Sequence, residues 1–430
     1  MSVLKSSLGV FATRVWGAFV GIVVSVLIAR HLGPEGKGIY SLLLLIPTLL
    51  VTFGNIGLGV ANVYFFGKKG AKPEELASNS LWAAIVSGLI MIALFLIAYP
   101  FLADTFFADV PHAYIISAVM LVPFMLTNSY LASLLLATKR TRQFNIANAI
   151  QLAILLASVL IMLLVLDLGI QTTILATVIN ITAGSIIMTW FFSRSYQLRL
   201  KFNRKLFRET ITYGIKGYFA NVIQFLNYRL DLLLISFFLD AAAVGWYSVA
   251  VNFAELLWYV PTSIGTVLFP HIANASAGAA NIVTARLSRQ TFALMFVATL
   301  AVAFLAPWAI PFFFGAEFSP AITALLYLLP GALLFSIAKI IGNDFAGRGL
   351  IVSNAVVSGI ALGLNVTLNV ILVPRMGILG ASLSSTISYT VHTVLMIGLF
   401  ARVAKLAWYR LLWPTKNDLK DLFEALKRDR

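Results

Sequence analysis

The chain has 430 residues, of which 60% are hydrophobic and 11% charged, with 31 Lys and Arg against 16 Asp and Glu for a net charge of +15. A soluble domain carries about a quarter charged residues, so this composition excludes a water-soluble globular protein and leaves lipid as the solvent. Cysteine is absent, which excludes disulfides, thiolate catalysis and cysteine-bound metals, and His31, His112, His271 and His392 show no metal-ligand spacing.

From the N-terminus, Met1 to Ser7 carries one lysine, and the apolar run behind it is full length and lacks a small-residue cleavage site, so the first span is read as permanent. Twelve stretches of the length a bilayer core demands follow one another: 8–32, 38–66, 79–103, 113–138, 143–167, 170–193, 210–238, 242–268, 290–312, 321–342, 352–374 and 378–402. Strand-like alternation is missing, so a barrel is excluded. The expected fold is an all-α polytopic membrane protein. Its domains are an N-terminal six-helix bundle (1–193), a basic cytoplasmic linker (194–209), a C-terminal six-helix bundle (210–402) and a basic amphipathic tail (403–430). Pro47, Pro123, Pro261 and Pro330 fall inside spans, where neighbouring groups can satisfy the carbonyls they free, and they are the expected flex points.

Orientation follows from the basic residues. With the N-terminus in the cytoplasm, 24 Lys and Arg fall on the cytoplasmic side and three, Arg30, Lys37 and Arg375, fall outside; four more lie within spans. That asymmetry puts both termini in the cytoplasm and explains the basic charge as attraction to anionic lipid rather than to nucleic acid. In the tail, Leu419, Leu422, Phe423 and Leu426 share one helical face ringed by lysines, which suits an interfacial helix or a solvated basic tail.

An internal repeat runs through the chain. Gly38-Ile39-Tyr40-Ser41 returns as Gly245-Trp246-Tyr247-Ser248 and Leu121-Val122-Pro123 as Leu328-Leu329-Pro330, while Gly169-Ile170 returns as Gly377-Ile378. Halves of six spans each share one orientation, which predicts two bundles related by a pseudo-twofold along the membrane normal, a plan found in alternating-access transporters. No filter-like loop indicates a channel, and no polar catalytic cluster or acidic metal-binding loop indicates an enzyme such as a glycosyltransferase.

The stretch Ala29-Arg30-His31-Leu32-Gly33-Pro34-Glu35-Gly36-Lys37-Gly38-Ile39-Tyr40 resembles the first-loop signature of polysaccharide-type flippases, in the superfamily that also holds multidrug and toxin extruders and lipid II flippases. Arg14-Val15-Trp16-Gly17, Ala137-Thr138-Lys139-Arg140 with Asn145 and Asn148, and Met376-Gly377-Ile378-Leu379-Gly380-Ala381 are similar to that family too. Mechanically, Gly33-Pro34 breaks a helix, Gly36 and Gly38 permit a tight turn, and Tyr40 anchors the second span at the interface. The resemblance implies a V-shaped pair of bundles around a central cavity. It also implies transfer of an undecaprenyl-pyrophosphate-linked oligosaccharide to the outer leaflet, with a polysaccharide polymerase or glycosyltransferases as partners. Twelve spans and a lone Arg14 in the first span set the chain apart from lipid II flippases and favour the O-antigen or capsule branch.

Ionisable groups at membrane depth are functional candidates. They are Arg14, Lys216, Arg229, Asp231, Glu255 and Lys339, summing to +2. On the first span Arg14 shares a stripe with Ser7, Gly17, Gly21 and Ser25; on the seventh, Tyr213, Lys216, Asn221, Gln224, Asn227 and Asp231 fall on one side. Arg14, Lys216 and Lys339 are expected to hold the pyrophosphate head group, with Tyr213, Gln224 and Asn227 meeting the head group and sugars. For Lys216 the other reading is snorkelling to the cytoplasmic surface, and for Arg229 a structural pair or lipid contact. Asp231 and Glu255 are either counter-ions or carriers of proton or Na⁺ coupling; no other cofactor is expected. Alternatives to the flippase are a multidrug or cation antiporter, which a cavity summing to +2 disfavours, and a non-transporting membrane scaffold, which has no need of polar stripes on several helices.

Overall fold

Gly33 ends the first membrane span: its φ of 66° lies in the left-handed region, and the helical chain bends there before Pro34 restarts it. The computed structural model describes residues 3–198 and 201–411, and among these every regular element is a helix. The tail from Pro414 to Arg430 lies outside the described residues. So does the side chain of Arg14, whose backbone belongs to the first helix.

Close packing divides the molecule into two units, Met1–Val222 with Asp240–Gly245, and Ile223–Leu239 with Trp246–Arg430. Unit 1 is built from α1 (Val3–Gly54, broken at Gly33), α2 (Leu58–Lys69), α3 (Pro73–Phe106), α4 (His112–Val119), α5 (Val122–Ala137), α6 (Thr141–Leu160), α7 (Gln171–Ser193) and the first half of α8 (Arg204–Phe238). Unit 2 holds the second half of α8, most of α9 (Ala241–Leu256), then α10 (Tyr259–Asn274), α11 (Ala277–Phe314), α12 (Pro320–Gly347), α13 (Ile351–Met376) and α14 (Ile378–Ala404). Among the described residues, nine helical segments are long and apolar enough to cross a membrane, or ten if the bent pair α9 and α10 forms one span. One of the nine, Trp16–Gly54, contains the Gly33 break and so carries two of the expected spans. The helix α8 falls outside the set; Asn221, Gln224, Asn227, Arg229 and Asp231 interrupt its apolar residues. The chain is a multi-pass α-helical membrane protein.

Breaks in the spans do not follow proline alone. The helix α1 runs through Pro47, and the second span breaks instead at Asn55–Gly57, where Ile56 and Gly57 take φ of 46° and 73°. The carbonyls this break frees are taken up internally. Tyr130 donates to the carbonyl of Asn55 at 2.9 Å and Tyr218 donates to that of Phe53, as lipid-embedded backbone requires. Pro123 stands in the first turn of α5, just past a break, and Pro261 lies just past the 44° bend between α9 and α10. Pro330 is accommodated inside an unbroken α12.

Two residues of the repeated motif do other work than their sequence suggests. Gly38 sits within a helix and permits close approach rather than a turn. A Cβ there would strike the carbonyl oxygen of Ala241 and lie 3.1 Å from the nitrogen of Gly245, while a Cβ on Gly245 would strike the carbonyl of Pro34. The two repeat-related glycines thus lie face to face. Tyr40 is buried, packed with Val20, Val24, Ile28, Val159, Leu163 and Ala176 instead of anchoring at an interface. Beside it, Lys37 is 3% exposed, its Nζ 5.5 Å from the Tyr40 ring centre and 3.2 Å from Ser41 Oγ.

Candidate functional site

The N-terminus of α8 creates a basic pocket in unit 1. The segment 194–209, expected to be linker, turns helical at Arg204, so its last six residues extend the seventh span by more than a turn. Asn203 fixes that start. Its side-chain oxygen accepts from the amide of Leu206 at 3.1 Å, a helix N-cap. Its own amide nitrogen and carbonyl pair with the two ends of the Asn79 amide at 2.9 and 3.0 Å, and its Nδ2 donates to Glu75 at 2.8 Å. The backbone carbonyl of Lys201 accepts from Ser78 at 3.0 Å. The chain is therefore clasped onto α3 immediately before the helix begins.

From that fixed start, Arg204, Arg208, Thr212 and Lys216 recur every four residues and lie along one side of α8. With Lys69, Lys205, Glu209, Tyr64, Phe65 and Tyr213 they line a cavity of about 1090 Å³. Five cations face one carboxylate there, a net +4, and none of the five has an ion-pair partner among the described residues. Helix starts ordinarily favour acidic residues, and the first turn of α8 has none. Arg204 and Lys205 instead add to the positive end of the helix dipole, at a cost of about 0.3–1 kcal/mol each. An arrangement that concentrates positive charge at a helix start is suited to a multiply charged anion. An aromatic wall completes it: Tyr213 stacks on Tyr64 with ring centres 4.1 Å apart and planes 12° apart.

In unit 2 the ionisable groups expected at membrane depth have partners within the fold. Lys339 on α12 places its ammonium 5.1, 4.8 and 5.5 Å from the ring centres of Tyr228, Trp258 and Phe335, and donates to the Tyr228 hydroxyl at 3.0 Å. Gln224 also donates to that hydroxyl. Asn227, expected to meet substrate, is 5% exposed and gives its amide hydrogens to the carbonyls of Ile223 and Ser358, which joins α8 to α13. Its donors are spent inside the helix packing. Arg229 pairs with Glu255 at 3.1 Å, both side chains about a quarter to a third exposed.

Asp231 differs from Glu255. It is 3% exposed and receives hydrogen bonds from Tyr247 at 2.8 Å, Asn369 at 3.1 Å and Ser385, all neutral donors. Asn365 stands beside it, linked to Asn369 at 3.1 Å and to Ser385 at 3.3 Å, and Asn369 Oδ1 is buried without a partner. This is one carboxylate on α8 surrounded by neutral hydroxyl and amide groups drawn from α9, α13 and α14. Such a donor set fits a proton or a small hard monovalent cation better than a divalent metal, for which one carboxylate is a poor charge match.

The structure thus brings Lys216 and Tyr213 together in unit 1, and joins Gln224 to Lys339 through Tyr228 in unit 2. Lys69, Arg204, Lys205, Arg208 and Tyr64 were not foreseen as site residues. The signal was the four-residue spacing from Arg204 to Lys216, hidden by reading 194–209 as linker and its charges as topology alone.

The family model described as polysaccharide biosynthesis protein matches residues 27–323. The chain belongs to the polysaccharide biosynthesis protein family. It is 22% identical over 410 residues to the probable low-salt glycan biosynthesis flippase Agl15 of Haloferax volcanii, covering 92% of this chain and 83% of that one. It is 27% identical over 232 residues to an uncharacterized membrane protein of Methanocaldococcus jannaschii, 52% of this chain and 45% of that relative, so it spans under half of that protein's length. Among solved structures, the lipid II flippase MurJ in an inward closed conformation aligns with a TM-score of 0.77 and 18% identity, over 99% of this chain and 93% of that one. An inward-facing multidrug resistance MATE transporter aligns at 0.74 and 14%, over 90% and 96%. At these identities the likeness is one of fold.

Proposed function

We propose that this polysaccharide biosynthesis protein is a flippase for a lipid-linked glycan, and that the basic pocket of unit 1 receives the substrate's pyrophosphate. The observation that carries the reading is five cations, from the end of α2 and the first turns of α8, that line one pocket and have no ion-pair partner among the described residues. Cations without partners are costly to hold together, and a doubly charged head group relieves their repulsion. Tyr64 and Tyr213 form the aromatic wall beside that head group. The substrate is an undecaprenyl-pyrophosphate-linked oligosaccharide, taken up at the cytoplasmic leaflet of the plasma (inner) membrane with both termini of the protein on that side. Its prenyl chain remains in lipid. Transfer proceeds by alternating access, with polymerase or glycosyltransferase partners supplying and consuming the glycan. The likeness to a glycan biosynthesis flippase and to a lipid II flippase supports this reading.

Ion coupling belongs to Asp231 rather than Glu255. Glu255 already has a cation, Arg229, whereas Asp231 has only neutral donors and an unpartnered amide oxygen beside it. A buried carboxylate so placed gains from binding a proton or Na⁺. Asp231→Asn is expected to make flipping indifferent to imposed Na⁺ and proton gradients, and Glu255→Gln to leave that dependence in place.

The test is flipping of a fluorescent undecaprenyl-pyrophosphate oligosaccharide by the purified protein in liposomes. Flipping supports the proposal. No flipping, together with expulsion of an organic cation against a gradient, would replace it with the antiporter reading, although a pocket of net +4 repels such substrates.

A further inference from the structure

Unit 1 holds a second cavity, and among the described residues no charged side chain lines it. About 340 Å³ in volume, it is lined by Thr13, Gly17, Leu136, Phe144, Asn148, Gln151, Leu152 and Asn180 from α1, α5, α6 and α7. Three carboxamides and a hydroxyl in a membrane-spanning bundle are expensive to place and call for an explanation. The hydrogen bonding of the carboxamides is incomplete. Gln151 accepts from Asn128 at 3.3 Å and donates to the carbonyl of Asn180 at 3.4 Å, both long, and Asn148 gives one hydrogen to its own helix at Phe144, 3.0 Å. The side-chain oxygen of Asn180 is buried and receives nothing, and the same holds for Asn145 one turn from Asn148.

Packing favours an open space here. Gly17 faces the cavity, and a Cβ added to it would meet only Leu152 Cδ1 at 3.5 Å. At Gly184 on α7, a Cβ would strike the Gln151 amide, so that glycine leaves room for the amide to lie flat against its helix. Phe144 presents the aromatic surface. Carboxamides, a hydroxyl and a ring face make up a set that recognises a neutral polyhydroxyl ring, donors and acceptors meeting its hydroxyls and the aromatic meeting its C–H face.

The cavity also has a position relative to the basic pocket. Phe65, Tyr64 and Tyr213 of the pocket and Phe144 of the neutral cavity all belong to, or pack against, one core cluster built around Leu131, Leu134, Leu135, Ala147 and Phe192. Both therefore border one packed cluster of unit 1.

We infer that the neutral cavity is a carbohydrate subsite that accepts a pyranose ring of the substrate whose pyrophosphate occupies the basic pocket; this rests on the flippase reading. At about 340 Å³ it has room for one ring and a few waters, and the remaining sugars stay outside. Size and amide geometry then contribute to which sugar is carried, while the pocket reads only the phosphates.

The experiment measures binding of two classes of lipid to the full-length protein in nanodiscs. One is undecaprenyl pyrophosphate without sugar; the other is the same lipid bearing glucose, galactose or N-acetylglucosamine. In the wild type at least one glycosylated lipid is expected to bind about tenfold tighter than the bare one, the yield of one or two sugar hydrogen bonds. Asn180→Leu is expected to erase that gain and leave the bare lipid's affinity unchanged. Gly17→Leu, which fills the space and leaves every amide in the sequence, is expected to do the same and guards against a folding defect in the first variant. Equal affinity for all four lipids in the wild type, or variants that keep the glycan preference, would overturn the subsite and leave the flippase reading standing. Binding of none of the four by the wild type would sink both.

Discussion

The basic pocket of unit 1 and the charged groups inside unit 2 hold their charge in opposite ways. In unit 1 the five cations of the basic pocket are crowded, solvent-facing and, among the described residues, unpaired. In unit 2 Lys339 is boxed by three rings, Arg229 has Glu255, and Arg348 has Asp344. Charge that is satisfied within the fold supports the fold; charge left without a partner awaits one from outside. The same residue types therefore have structural value in one unit and binding value in the other, and substitutions should separate the two.

The largest effect is expected at Arg348. Its guanidinium bonds Asp344 at 2.6 and 3.0 Å and Asn281 at 2.8 Å, while Thr284 donates to Asp344 at 2.7 Å, so α11 and α12 are tied through a fully buried carboxylate. Arg348→Ala abandons that carboxylate and should cost about 3–5 kcal/mol, read as a large fall in melting temperature in detergent. Arg348→Ala/Asp344→Ala should recover much of the loss; failure to recover would mean the pair is not what the arginine supports.

Next comes the pocket. Arg204→Ala/Arg208→Ala/Lys216→Ala should reduce flipping by at least about a hundredfold, since each lost charge-assisted contact is worth about 1.5–3 kcal/mol. Its melting temperature should hold or rise, because mutual repulsion is relieved. A triple variant that melts early would show these cations to be structural after all, and the contrast between the units would fail.

Lys339 provides the sharper comparison with Lys216, because both were expected to bind the head group. Lys339→Met keeps the bulk and removes the ammonium from its rings, a loss of about 1–2 kcal/mol, and should lower stability while changing affinity for undecaprenyl pyrophosphate by less than about threefold. Should affinity drop as far as in Lys216→Met, the caged lysine reaches substrate too.

What could be read from the sequence depended on whether a signal was local. Span positions and the break at Gly33 were visible because hydropathy and a Gly-Pro step act over a few residues. The seventh span began too late because Arg204 to Glu209 look like linker until Asn203 is seen clasped to Asn79, 124 residues away. The partners of Asp231 lay equally far: Asn369 and Ser385 stand 138 and 154 residues on, and no periodicity of α8 points to them. Gly38 and Gly245 were found as a repeat, but their reason, backbone meeting backbone, required coordinates. Asn227 shared the polar side of α8 and was misplaced for the same cause, since a helical stripe does not distinguish a cavity from a neighbouring helix.

The smallest effect belongs to Arg229 and Glu255, and it tests whether pairing alone makes a charge structural. Their oxygens and nitrogens lie 3.1 Å apart, close enough for a full ion pair, but with 32% and 24% of the side chains exposed the attraction is partly screened. A double-mutant cycle on melting free energy should therefore return a coupling of about 1 kcal/mol or less, well below that of the buried Asp344 pair. The salt dependence is the sharper readout. Raising ionic strength should shrink the Arg229–Glu255 coupling and leave the Asp344–Arg348 coupling nearly unchanged, because counter-ions reach only the exposed pair. If both couplings fell together, burial would not be what distinguishes them, and the pocket cations of unit 1 would have to be reconsidered as one end of a continuous scale of screening.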